Sequence, residues 1–76
     1  MENQHEQFNV DTRHGSPYDR GSADSYYRRG RRPHYFKGAT YNSEEVLEKD
    51  MTPVEIREYN LGFDQNEADY NFKDWG

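Results

Sequence analysis

Apolar residues are sparse along this chain, and where they recur they mark two helical segments separated by a stretch of different texture. Tyr18, Ser22 and Tyr26 repeat every fourth residue, with Ala23 and Tyr27 beside them, so one semi-apolar helix face is expected. Ser16 is a suitable N-cap and Pro17 suits the first helical position, where no N–H is needed. Asp19 falls in the first turn and Arg28 and Arg29 in the last, each on the end of the dipole that favours its charge. Gly30 is a suitable left-handed residue just beyond. These signals predict a helix over 17–29. Gly21, inside it, costs about 1 kcal/mol relative to Ala and so marks a place where another backbone approaches closely.

Pro33 ends any continuation. Aromatic and β-branched residues then alternate with turn formers from His34 to Val46, which predicts an extended or hairpin element over 34–46 that must lean on a helix. The sharpest boundary follows. Thr52 as N-cap, Pro53 at N1 and Glu55 at N3 spell a capping box, and Met51 and Ile56 supply a hydrophobic staple across it. A second helix is expected over 53–69, with Ile56, Tyr59 and Phe63 on its inner face. The tail, 70–76, carries Tyr70, Phe72 and Trp75 and is expected to fold back onto the body. Residues 1–15 are polar and aperiodic and read as a flexible arm.

The expected fold is therefore a small α-rich (α+β) mini-domain over 16–76. Two helices pack through tyrosines, with a short extended or hairpin element between them and a flexible N-terminal arm. Composition sharpens this. Leu, Ile, Val and Phe make up only ten of 76 residues, yet seven Tyr, four Phe and one Trp each bring a large surface to bury. A chain this short buries roughly 60–65% of its unfolded surface, so its core must be small and aromatic. With no cysteine there is neither a disulfide nor a thiolate metal site. Self-association is one further route to stability. No apolar run reaches the length of a membrane span or a signal-peptide core, so a cytoplasmic protein with no membrane partner is expected.

Charge divides the chain. From Tyr41 onward ten Asp and Glu face Lys49, Arg57 and Lys73, a net of −7, while the whole chain carries −5. The stretch 25–40 has Arg28, Arg29, Arg31, Arg32 and Lys37, no acid, and Tyr26, Tyr27, Tyr35 and Phe36 interleaved. Arginine grips phosphate or carboxylate through two parallel hydrogen bonds, and aromatic rings stack on unpaired bases. Arg28, Arg29, Arg31, Arg32, Tyr35 and Phe36 are therefore the candidate partner-binding residues, on one contiguous surface after the first helix. The alternative reading has Arg28 and Arg29 cap the first helix while Arg31 and Arg32 pair with the acidic half of the same chain. Dense carboxylates at Glu44, Glu45, Glu48, Asp50, Glu55 and Glu58 also allow a DNA-mimicking face, interrupted by Lys49 and Arg57, or simply a solvated one.

Two segments carry a resemblance. Ser16–Phe36 and Met51–Gly76 are similar to a group of short uncharacterised proteins of tailed bacteriophages. In that group a DRG-x-AD-x-YY segment, a PH-aromatic step, a TP-x-E helix start and a terminal FKDWG occur in this order. The resemblance implies a phage origin and assigns no biochemistry. A weaker one is to the ribosome modulation factor family, at Arg20, Gly21, Ala23, Pro33, Tyr35, Tyr59 and Gly62. It implies an RNA-binding module acting on the ribosome, although that family is basic and this chain is acidic.

Catalytic patterns are not found in the sequence. His5, His14 and His34 lie far apart without metal-ligand spacing, and no serine has a His or Lys partner at motif spacing. The glycines are scattered rather than gathered into a phosphate loop. Neither an enzyme nor a cofactor is expected. The reading is a non-enzymatic, phage-encoded protein that binds and modulates a host macromolecule, foremost a protein, with RNA of the ribosome or DNA mimicry as alternatives.

Overall fold

The computed structural model describes residues 10–38, 40 and 42–73. Helix α1 spans Pro17–Tyr26, strand β1 His34–Phe36, strand β2 Glu45–Leu47, a 3-10 turn Glu48–Asp50, and helix α2 Pro53–Asp69. The strands form an antiparallel two-stranded hairpin in which His34 faces Leu47, Tyr35 faces Val46 and Phe36 faces Glu45. The two helices pack on each other and the hairpin leans against both, so the small α-rich (α+β) domain read from the sequence is what forms.

Both helix starts are where the capping residues place them. The Ser16 hydroxyl accepts the Asp19 N–H at 3.2 Å, and the Asp19 carboxylate accepts the Gly15 N–H at 2.9 Å. In α2 the Thr52 hydroxyl accepts the Glu55 N–H at 3.1 Å, and the Glu55 carboxylate accepts the Thr52 N–H at 2.9 Å, a complete capping box. Met51 is buried and Ile56 packs against the cluster it joins, as the staple requires.

The first helix ends earlier than its charge pattern indicates. It stops at Tyr26, and Arg28 takes the left-handed conformation with φ 59°. The Arg28 N–H donates to the Ser25 carbonyl at 3.0 Å and the Arg29 N–H to the Asp24 carbonyl at 2.8 Å. That pair of bonds is a Schellman motif, with arginine where glycine usually sits. Gly30, also at positive φ, lies in the loop beyond it. Helix α2 closes the same way at the position expected for it. Tyr70 is left-handed at φ 53°, and its N–H and that of Asn71 donate to Glu67 and Asn66.

The core consists of Val46, Met51, Tyr59 and Phe63, flanked by Tyr35 and Ile56. Phe36 is buried as well. Tyr59 is fully buried, while the closest approach of the helices is made by glycine. Gly21 of α1 lies against the Tyr59 carbonyl and Gly62 of α2 against the Tyr18 carbonyl.

The expected arm and tail both extend beyond the described residues, at 1–9 and 74–76. Within the described part the arm is fastened rather than loose from Arg13 onward. The Arg13 guanidinium donates to the Phe36 carbonyl at 2.8 Å and the Gly38 carbonyl at 3.0 Å, and the Phe36 N–H donates to the Gly15 carbonyl at 2.8 Å. The tail returns to α1, where the Lys73 N–H donates to the Tyr26 carbonyl at 2.7 Å. Among the described residues no helix is long and apolar enough to cross a membrane.

Candidate functional site

The loop from Arg28 to Pro33 joins α1 to β1 and carries four of the six candidate residues. Its arginines do not form a loose cationic patch. Three of them are held over aromatic rings: Arg28 lies 4.7 Å from the Phe72 ring centre, Arg29 4.9 Å from Tyr27, and Arg31 4.3 Å from Phe63. Arg31 also donates to the Asn60 amide oxygen at 2.9 Å and to Asp64 at 2.7 Å, so it clamps the loop to α2. Arg32 is exposed, and its guanidinium makes no ion pair among the described residues.

Arg29 reaches inward to Asp24, the hub of the structure. Asp24 is 2% exposed, and its carboxylate accepts the Arg29 Nε–H at 2.9 Å and the Tyr59 hydroxyl. The Tyr59 oxygen in turn accepts the Arg32 N–H at 2.9 Å. His34 Nδ1 lies 2.8 Å from the Arg32 carbonyl and 3.7 Å from Asp24. A carbonyl oxygen only accepts, so Nδ1 carries the proton and donates. The other nitrogen, Nε2, is left to accept, and the Arg20 Nε–H lies 3.5 Å from it. Burial, followed by the bond to Asp24, pushes the Tyr59 phenol well above the ordinary tyrosine range.

A second polar knot joins the helix ends. Ser25, fully buried, donates to Glu67 at 2.7 Å and accepts from the Asn66 amide at 2.9 Å, and that amide also donates to the Asn71 carbonyl at 2.8 Å.

The six candidate residues divide accordingly. Arg28, Arg29, Arg31 and Arg32 are exposed around one loop, with Arg29 and Arg31 also serving the fold. Tyr35 is half-buried on the hairpin and donates to Glu55 at 2.9 Å. Burial and that carboxylate raise its phenol pKa. Phe36 is 4% exposed and cannot face a partner. The expectation of one contiguous surface is corrected here, because strand alternation puts Phe36 with buried His34 on one face of the hairpin and Tyr35 with Val46 on the other, where it packs against the core. The intramolecular reading holds for Arg31, which pairs with Asp64 of the acidic half, while Arg29 pairs instead with Asp24 of the first helix. Sequence reasoning missed the Asp24 hub.

Among the described residues no group of three His, Cys, Asp or Glu side chains is placed to hold a metal. Compared with protein family models, characterised proteins and solved structures, the chain matches none at a significant level.

Proposed function

We propose that this chain is a non-enzymatic interaction protein, phage-encoded, that docks on an acidic face of a host protein in the cytoplasm through its Arg28–Arg32 loop. The fixed orientation of that loop carries the reading. Arg28, Arg29 and Arg31 are immobilised by aromatic rings and by Asp24, Asn60 and Asp64 before any partner arrives. Ordering a long side chain at an interface costs about 0.5–1.5 kcal/mol, and side chains already ordered in the free protein avoid most of it. Arg32 adds beside them an exposed guanidinium that makes no ion pair among the described residues. Arginine and tyrosine are also the residue types that most often anchor protein interfaces. The acidic half of the chain repels the same partner, so docking takes one orientation. The motif order shared with short phage proteins supports the origin.

The test is capture from nuclease-treated host lysate by the wild-type chain and by an Arg28→Ala/Arg32→Ala variant. These two residues make no hydrogen bond through their guanidinium groups to the helices, so the variant keeps the fold. The expected result is one stoichiometric host protein bound by the wild type and lost with the variant. Equal recovery by both overturns the loop as the docking site. Recovery of ribosomal particles only, and only before RNase treatment, replaces the protein partner with RNA.

A further inference from the structure

The two edges of the hairpin differ. The Lys37 N–H donates to the Glu44 carbonyl at 3.0 Å, which makes these two a hydrogen-bonded pair. Such pairs alternate along an antiparallel ladder, so Tyr35 and Val46 form the next, and the residues between aim their backbone groups outward. On β1 the outward residue Phe36 is served by the segment before α1. Its N–H donates to the Gly15 carbonyl and its carbonyl accepts from Arg13, both at 2.8 Å. On β2 the outward residues are Glu45 and Leu47, and the sheet has only two strands, so no described strand lies beyond them. Leu47 commits its carbonyl to the 3-10 turn that it caps. The Glu45 N–H and carbonyl and the Leu47 N–H make no backbone hydrogen bond among the described residues, and both side chains are exposed.

An open strand edge pairs with another extended chain unless something prevents it. Here the flanking charges decide which chain. Glu44, Glu45 and Glu48 are exposed along the edge, and Glu45 and Glu48 make no ion pair among the described residues. A second copy, laid antiparallel so that its Leu47 meets Glu45, would set Glu44 opposite Glu48, acid against acid. A basic strand meets no such opposition. The Val46 side of the edge also has room for its side chains. An open cleft of about 380 Å³ lies there, and four carboxylates (Glu44, Glu45, Asp50, Glu55) line it against one lysine, Lys37. Tyr35 and Val46 line it too, so the stem of a Lys or Arg has apolar surface to lie along while its head reaches the acids. Lys37 and Lys49 pair with Glu44 and Asp50, but all four side chains are exposed, and exposed pairs of this kind are weak enough to exchange.

We propose that the outer edge of β2 binds an extended, lysine- or arginine-rich segment of a partner protein as a third strand, with alternate basic side chains over the Val46 cleft. The proposal goes beyond docking through the Arg28–Arg32 loop and does not depend on it, because the edge and the cleft share no residue with that loop.

The test is NMR titration of the isotope-labelled full chain, at low ionic strength, with octapeptides alternating Lys–Thr, Glu–Thr and Lys–Pro. The last keeps the positive charge and disrupts the strand. The Lys–Thr peptide is expected to give saturable shifts at the Glu45 and Leu47 amides, with Kd of about 1 mM. At about ten times that concentration it should slow hydrogen exchange of the same amides about tenfold. The other two peptides should bind at least about tenfold more weakly. Leu47→Pro deletes an outward N–H, and its edge position and φ of −93° admit the ring. It is expected to weaken the Lys–Thr peptide at least about tenfold. Arg32→Gln, in the loop, should bind it as the wild type does. Should Leu47→Pro lose its cooperative melt, Glu45→Lys/Glu48→Lys takes its place, since both side chains are exposed. Absence of saturation, shifts that leave out the edge amides, equal binding of either control peptide, or unweakened binding by the folded variant overturns the proposal. Exchange at these amides that slows with protein concentration alone replaces the peptide by a second copy and overturns it as well.

Discussion

Gly21 and Gly62 occupy reciprocal positions across the helix crossing, each against a carbonyl of the other helix. A Cβ built on Gly21 collides with the Tyr59 carbonyl, and one on Gly62 collides with the Tyr18 carbonyl. Neither obstacle is a movable side-chain end. In an isolated helix, Gly→Ala adds about 0.5–1 kcal/mol of stability. Here the sign reverses, because the helices must separate to admit the methyl group. Gly21→Ala and Gly62→Ala are each expected to lower stability by about 1–3 kcal/mol, read from the urea midpoint by circular dichroism. A raised midpoint in either variant would mean that the crossing is looser than described.

Tyr59 sets an alkaline limit. Its folded pKa lies above the unfolded value of 10.0, owing first to burial and then to the bond with Asp24. Above that unfolded value the unfolded chain has released this proton and the folded chain has kept it, so stability falls as pH rises. Its stabilising contribution is complete below about pH 10 and declines above it by up to about 1.4 kcal/mol per pH unit. The check is urea unfolding between pH 8 and 11. Tyr59→Phe should flatten that decline and lower stability at pH 7 by about 1–3 kcal/mol, because Asp24 loses a donor and the Arg32 N–H loses its acceptor.

Arg29, Arg31 and Arg32 should separate by function when replaced singly with alanine. Arg32→Ala is expected to change stability by less than about 0.5 kcal/mol. Arg31→Ala should cost about 1 kcal/mol, from an exposed ion pair and a cation–π contact that are each modest. Arg29→Ala should cost the most, about 1–3 kcal/mol, because it strips a formal counter-charge from a buried carboxylate while part of its own side chain sits in water. Thermal melts of the three variants give the order directly, and a severe loss with Arg32→Ala would contradict it.

Tyr70 is 82% exposed and left-handed. A side chain in that conformation costs about 1 kcal/mol or more that glycine avoids. Its edge contact with Phe72, ring centres 6.5 Å apart, returns part of that. Tyr70→Gly is expected to stabilise the protein by about 0.5 kcal/mol, seen as a small rise in melting temperature.

The second helix was legible because two independent devices, the Thr52–Glu55 box and the Met51–Ile56 staple, mark one boundary. The first was legible at its start only. Its C-terminal stop depends on Arg28 adopting a conformation that sequence statistics assign to glycine, and Gly30 two residues later drew the boundary outward. Phe36 was misplaced because the basic run around it dominates the local pattern, while the two-residue alternation of a three-residue strand is too short to read. No pattern in the sequence singled out Asp24. Its partners come from 29, 34 and 59, and only the folded chain brings them together. The close approach at Gly21 was anticipated from its helical position, whereas its counterpart at Gly62 needed the crossing geometry.

The Asp24 hub also bears on how the chain folds. Its carboxylate sits on α1, its hydroxyl partner on α2, its imidazole neighbour on β1 and its counter-charge on the connecting loop. A form with any one of these elements undocked would hold a desolvated charge without its full set of donors, a penalty of several kcal/mol in a domain whose total stability is of that order. Intermediates are thereby suppressed, and the domain assembles or dissolves as a single cooperative unit despite its small apolar core.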